Sequence, residues 1–128
     1  MKKNEFVKIL NVSRETLNGF YEYESLLSKW NEKINLVSKN TLVDIWERHF
    51  LDSGQIIKHV EASGKRWVDV GSGAGFPGLV VALLLRDRKV DCDLVLVEKN
   101  QKKVLFLNEV IRKLNLSVKV VNYNIYTL

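Results

Sequence analysis

The spacing of apolar residues changes rhythm half-way along the chain. From Ser13 to about Asn35, Leu17, Phe20, Tyr21, Leu27, Trp30 and Ile34 recur at helical intervals. This predicts one long amphipathic helix with Ser13 as its N-cap. A polar break at Ser38 to Asn40 follows. Thr41 and Asp44 then read as a capping-box-like start for a second helical stretch through Ile45, Trp46, Phe50 and Leu51. A further stretch runs from Asp52 to about Val60. The segment EASGK, Glu61 to Lys65, reads as a linker. It divides a helical leader, residues 1–64, from the remainder, residues 65–128.

Beyond the linker the elements shorten and alternate. Arg66 to Val70 predicts a strand, Pro77 to Leu85 an apolar helix, and Asp91 to Glu98 a buried strand. Gln101 to Leu114 predicts a helix with Val104, Leu107, Val110, Ile111 and Leu114 inward, and Ser117 to Val121 a third strand. Strand–helix–strand–helix–strand implies parallel strands joined by right-handed crossovers. The fold class is therefore α/β: a helical leader, then the first half of a doubly wound parallel sheet.

Between the first strand and its helix stands VDVGSGAGFPG, Val68 to Gly78. In such a sheet, ligands bind where the first strand turns into the first helix. Glycines there let a backbone approach a ligand closely, and the next helix offers N–H groups at its start. Pro77 suits the first turn of that helix. The competing explanation is a tight turn that binds nothing. Two registers are open. From Gly73, GAGFPG matches the dinucleotide pattern GxGxxG. From Gly71, an acid, a spacer and GSGAG match the pattern of S-adenosylmethionine-dependent methyltransferases. A strand ending at Val70 makes Gly71 the turn glycine, which favours the second. Asp69 favours it too, because a carboxylate attracts an ammonium and a sulfonium but repels a pyrophosphate. Glu98 ends the next strand, where an acid can accept from both ribose hydroxyls of either cofactor. Alternatively it is an exposed acid paired with Lys99 or Lys102.

Composition narrows the classes. With 46% hydrophobic and 27% charged residues, the 128-residue chain reads as globular. No apolar run approaches the length of a membrane helix. The amino terminus is basic but lacks a sustained apolar core, so it reads as no secretory signal. The single cysteine, Cys92, excludes an intrachain disulfide and fits a reducing cytoplasm; it reads as a small buried strand residue. His49, His59 and Cys92 show no metal-ligand spacing. A net charge of +5 suits a polyanion such as RNA without demanding one. The basic clusters at Arg86 to Lys89, at Lys99, Lys102 and Lys103, and at Arg112 and Lys113 read as solvated helix surface.

KWNEKINLVS (Lys29 to Ser38), ERHFLDS (Glu47 to Ser53) and VDVGSGAGFPG occur in that order. Together they resemble the glucose-inhibited division protein B family, and the resemblance spans about Leu26 to Val121. The resemblance implies a Rossmann-like fold and methylation of guanine N7 in small-subunit ribosomal RNA. It also implies S-adenosylmethionine as cofactor, with Gly71 and Phe76 against it, Gly73 and Gly75 shaping the loop and Glu98 on the ribose; Asp69 joins these cofactor-binding candidates on the charge argument above. Arg48, His49, Asp52 and Ser53 would lie at the mouth of the cleft. Arg48 and Asp52 could equally be an i, i+4 pair, and Trp30 and Asn35 core and capping residues. The family carries an Arg, an aliphatic residue and Glu after the third strand. Here Asn124, Ile125 and Tyr126 stand there, so Ile125 and Tyr126 are the expected adenine neighbours and the charged contacts are gone.

Ending at Leu128, the chain reads as the amino-terminal portion of such an enzyme: a fragment, an inactive remnant or RNA-associated module, or a subunit completed by another chain. RWVDV would then be an exposed apolar edge that a partner chain covers. A nicotinamide-nucleotide-binding domain is the remaining alternative.

Overall fold

The computed structural model describes residues 2–59 and 65–123. The linker and the proposed boundary at residue 64 therefore lie outside the described residues, apart from Lys65. Helix α1 (Lys2–Leu10) is followed by α2 (Arg14–Asn31), α3 (Lys39–Val43) and a π-helical turn (Trp46–Leu51). A short α4 (Asp52–Gln55) and a tight helical turn (Ile56–His59) complete the leader. Strand β1 (Arg66–Val70), α5 (Gly78–Asp87), β2 (Asp93–Glu98), α6 (Gln101–Leu114) and β3 (Val118–Asn122) follow. The sheet is parallel throughout, in the order β1-β2-β3.

Ser13 caps α2 as its sequence predicts, its hydroxyl accepting from the Thr16 amide. The helix stops at Asn31, short of Asn35. The Asn31 side chain turns the chain by accepting from the amides of Leu36 (2.9 Å) and Val37 (3.0 Å). Asn31, not the exposed Asn35, is thus the local capping residue. The expected start at Thr41 is displaced too. Ser38 is the N-cap of α3, accepting from the Thr41 amide, and Asp44 sits at its C-cap. Ser38 to Asn40 is a helix start, not a break. Helix α1 has no counterpart among the predicted elements. Its signal is the i, i+4 pair Phe6 and Leu10, both buried.

Helix α5 explains why a leader is present. GLVVALLL is apolar all round and buried along its length, so it needs cover on two sides. The sheet covers one; α2 and α4 pack on the other. Gly54 permits the second contact, because a Cβ there would lie 2.6 Å from Leu10 and 3.1 Å from Leu84. Phe6, Phe20, Trp46 and Phe50 form an aromatic cluster over this seam, with ring centroids 4.8–6.5 Å apart. Trp30 is half-buried against Phe106. Tyr21, by contrast, is exposed.

The basic run after α5 is more than solvated surface. Arg86 donates to the carbonyls of Leu114 and Asn115 at the end of α6, and Arg88 to Leu10 O at the end of α1. Between them, Asp87 Oδ1 accepts from the Ser13 amide (3.1 Å), the Ser13 hydroxyl (2.6 Å) and the Thr16 hydroxyl (2.7 Å). Three consecutive residues thereby satisfy groups left open at three helix ends. Cys92 precedes β2 instead of lying on it. It is half-buried with its Sγ donating to Lys65 O, and burial, then Asp93 and Asp91, push its thiol up.

Helices α5 and α6 pack on one face of the sheet. On the other face, Val68 and Val70 are 53% and 52% exposed. Val70 is in register with Val97, which is in register with the half-buried Val121. Among the described residues, β1 has no neighbour on its outer edge. The expectation of an apolar strand edge holds in this geometry.

Candidate functional site at the glycine loop

The loop leaves β1 at its carboxyl end and is tied first to the sheet. Gly71 and Ser72 amides donate to Val97 O (2.8 and 3.2 Å). The Gly73 amide donates to Glu98 Oε1 (2.7 Å). Ser72, itself buried, donates its hydroxyl to Asp69 O (3.0 Å). Gly71, Gly73 and Gly75 all have positive φ, at 76°, 54° and 97°. Their reasons differ. A Cβ at Gly71 would touch nothing within 4 Å, and at Gly73 only Gly71 O at 3.9 Å. At Gly75 it would collide with the Tyr23 hydroxyl and Leu79. Gly75 is bare because protein fills the space. Gly71 and Gly73 face open space.

Glu98 is 5% exposed. Its two oxygens accept from the Gly73 amide and the Asn100 amide (2.8 Å). This corrects the picture of an exposed acid paired with a lysine: Glu98 is a buried strand-end carboxylate engaged by main chain. Each oxygen still has a second acceptor site.

Asp69 does something its sequence position did not reveal. Its Oδ2 accepts from the Gly78 amide at the start of α5 (3.1 Å). Pro77, the N-cap, offers no side-chain acceptor of its own, so a β1 residue supplies it. Two of the N–H groups expected to be free there are taken: Gly78 by Asp69 and Leu79 by Gly75 O. Burial raises the Asp69 carboxyl, the hydrogen bond from the Gly78 amide opposes this, and Glu98 adds to the rise.

Phe76, joined to Pro77 by a cis peptide, carries the loop into the leader. The His49 imidazole stacks on its ring, with centroids 4.3 Å apart and planes 9° from parallel. The π-helical turn that bears His49 sends the adjacent Phe50 inward to full burial. Burial lowers the His49 pKa, Asp52 opposes the shift and Arg48 reinforces it. Arg48 and Asp52 are exposed, while Ser53 is buried where α4 meets α5. Arg48 makes an ion pair with Asp44 (3.6 Å), one turn before it, where the expected partner was Asp52, one turn after it. Ile125 and Tyr126 lie outside the described residues.

At the carboxyl ends of β1 and β2 the loop thus brings together two carboxylates and bare main chain at Gly71 and Gly73, and it continues into the stacked pair Phe76 and His49. Residues 16–127 match the model of the GidB family, rRNA small subunit methyltransferase G. The chain belongs to this family. It is 51% identical over 107 residues to the ribosomal RNA small subunit methyltransferase G of Parvibaculum lavamentivorans, covering 84% of this chain and 47% of that protein. Against the protein of the same name from Cereibacter sphaeroides (strain ATH 2.4.9) it is 40% identical over 128 residues, 100% of this chain and 62% of the relative. With that of Bartonella tribocorum it shares 46% over 110 residues, 86% and 51%. The chain thus spans about half the length of the curated relatives it matches. As a member of the GidB family it combines a helical leader with a three-strand parallel sheet, a partial Rossmann-like methyltransferase fold. No helix among the described residues is long and apolar enough to cross a membrane, and none of their acidic, His and Cys side chains cluster as a metal site.

Tyr23 was absent from the predicted site. It is fully buried on α2, and its phenol donates to the Ala74 carbonyl inside the loop. The apolar stripe read from the sequence did not include it and took Tyr21, which is exposed, in its place. The hydroxyl is the one sequence signal of a polar task, since a buried phenol requires a partner.

Proposed function

We propose that this chain is the cofactor-binding portion of an enzyme that methylates guanine N7 in small-subunit ribosomal RNA with S-adenosylmethionine. Family membership supports the reaction class. The observation that carries the cofactor assignment is Asp69 on the Gly78 amide. A dinucleotide's pyrophosphate would have to displace a carboxylate from the helix start it uses. A cofactor with a cationic centre is attracted to the same charge. The same observation counts against the nicotinamide-nucleotide reading.

In this reading Gly71 and Gly73 admit the cofactor to the main chain, and Gly75 and Phe76 shape the wall. Asp69 favours the cationic end, and Glu98 accepts from the ribose hydroxyls with its remaining acceptor sites. Ile125 and Tyr126 flank the adenine. Arg48, His49 and Asp52 border the opening, with Ser53 behind them. S-adenosylmethionine supplies a methyl group on a sulfonium, already an activated leaving group. Guanine N7 carries a free lone pair at neutral pH, so the protein's task is binding and alignment, not proton transfer. The substrate is small-subunit RNA or the 30S particle, in the cytoplasm. The bare β1 edge and valine face receive the remaining polypeptide of the enzyme, in the same chain or a partner.

Titration calorimetry of the 128-residue protein with S-adenosylhomocysteine tests the assignment. Saturable binding is expected. Gly71→Ala should cost about 1 kcal/mol of stability, from its left-handed φ, yet weaken binding at least tenfold, because its methyl group enters the open crevice. Absence of binding at millimolar ligand would remove the cofactor assignment. Saturable NADH binding that S-adenosylhomocysteine does not compete away would replace it.

A further inference from the structure

We propose that Tyr23 is a positioning residue for the glycine loop, holding its conformation from the leader side through the hydrogen bond to the Ala74 carbonyl. The inference rests on the cofactor assignment above for its consequence, but not for its geometry.

A loop with three glycines at alternate positions, all at positive φ, has many other conformations open to it. Something outside the loop must select one. The sheet does so on one side, through Val97 O and Glu98. On the helix side, Tyr23 supplies the polar tie. Ala74 is buried, so its carbonyl has no recourse to water if the phenol is lost. The phenol also stands where a Gly75 Cβ would be, so it shapes the loop by volume as well as by hydrogen bonding.

The ring is held in turn. It packs against both Phe50 (5.3 Å, 31°) and Phe76 (5.8 Å, 33°), which also touch each other (6.1 Å), and His49 stacks on Phe76. The leader therefore grips the loop at two adjacent points, Ala74 by hydrogen bond and Phe76 by ring contact. Burial, and secondarily the charge of Asp69, push the Tyr23 hydroxyl well above its usual range. It is therefore a donor at neutral pH. Strand, loop and leader helix then form one mechanical unit, and the leader belongs to the cofactor site although it touches the loop only from behind.

The test compares wild type, Tyr23→Phe and Phe20→Leu. Phe20 lies on the same helix and in the core, but its ring contacts are with Phe6, Trp46 and Phe50. Two readouts are taken: hydrogen exchange of the Gly73 and Gly75 amides without ligand, and affinity for S-adenosylhomocysteine. Tyr23→Phe should speed exchange at both amides about tenfold and weaken binding about tenfold, while still melting cooperatively. Phe20→Leu should lower the melting temperature with loop exchange, measured at equal distance below that temperature, and affinity near wild type. Unchanged loop exchange in Tyr23→Phe would overturn the proposal, as would equal loosening by Phe20→Leu. If wild type bound no S-adenosylhomocysteine, the cofactor assignment would fall, and amide exchange alone would decide for or against Tyr23.

Discussion

Replacing Gly78 by alanine sets two effects of opposite sign against each other. Alanine is the better helix former, by up to about 1 kcal/mol. Gly78, however, begins α5 where that helix lies tightest on the sheet. A Cβ there would stand 2.3 Å from Leu96 Cδ2 and 2.8 Å from Asp69 Oδ2. Carbon contacts are comfortable at about 3.5 Å, so about 1 Å must be found between α5 and β2. Leu96 is fully buried and cannot swing into solvent. Overpacking of this kind costs about 1–3 kcal/mol. Moving Asp69 weakens its bond to the Gly78 amide, adding about 1 kcal/mol. Net destabilisation of about 1–3 kcal/mol follows, and at about 4 °C per kcal/mol Tm drops by about 4–12 °C. Urea unfolding followed by far-UV circular dichroism should show a lower midpoint with unchanged slope. A midpoint at or above wild type would refute the reasoning, since propensity would then outweigh a contact argued to be too close.

Acid should act through Asp87. Burial raises its carboxyl, but the Ser13 and Thr16 hydroxyls, the Ser13 amide and Arg88 together hold it below the usual range. A depressed folded pKa means its contribution is complete above the unfolded value of about 3.9 and disappears as pH falls through the lower folded value. Wild type should thus lose stability below about pH 4 more steeply than Asp87→Asn in urea titrations run at successive pH values; parallel profiles would sink this. On the open valine face, Val70→Lys should suppress self-association in sedimentation velocity and leave Tm within about 2 °C, because Val70 is 52% exposed. A large loss of stability would mean that Val70 is packed.

The local elements follow from short-range pattern. Apolar spacing marks α2 and α6, alternation and β-branching mark the strands, and glycine density marks the loop after β1. These signals act over a few residues, so they survive in one dimension. The order strand–helix–strand–helix–strand then leaves a parallel sheet as the economical solution, and the loop must fall at its carboxyl end. Glycine at 71, 73 and 75 was equally legible, but not the difference among them. Only three-dimensional packing separates Gly75, whose missing Cβ makes room for Tyr23 and Leu79, from Gly71 and Gly73, which border open space.

Partners distant in sequence were decided by tertiary structure alone. Asp69 caps a helix nine residues on. Glu98 accepts from Gly73 across 25 residues, and Tyr23 donates to Ala74 across 51. Arg86 to Arg88 read as surface charge, because the helix ends they satisfy are fixed by how α1, α2 and α6 dock, not by neighbouring residues. The apolar circumference of α5 foretold that something must cover it. That the cover would be the leader, and that its tyrosine would reach through to the loop, depended on long-range burial, for which local sequence pattern holds no signal.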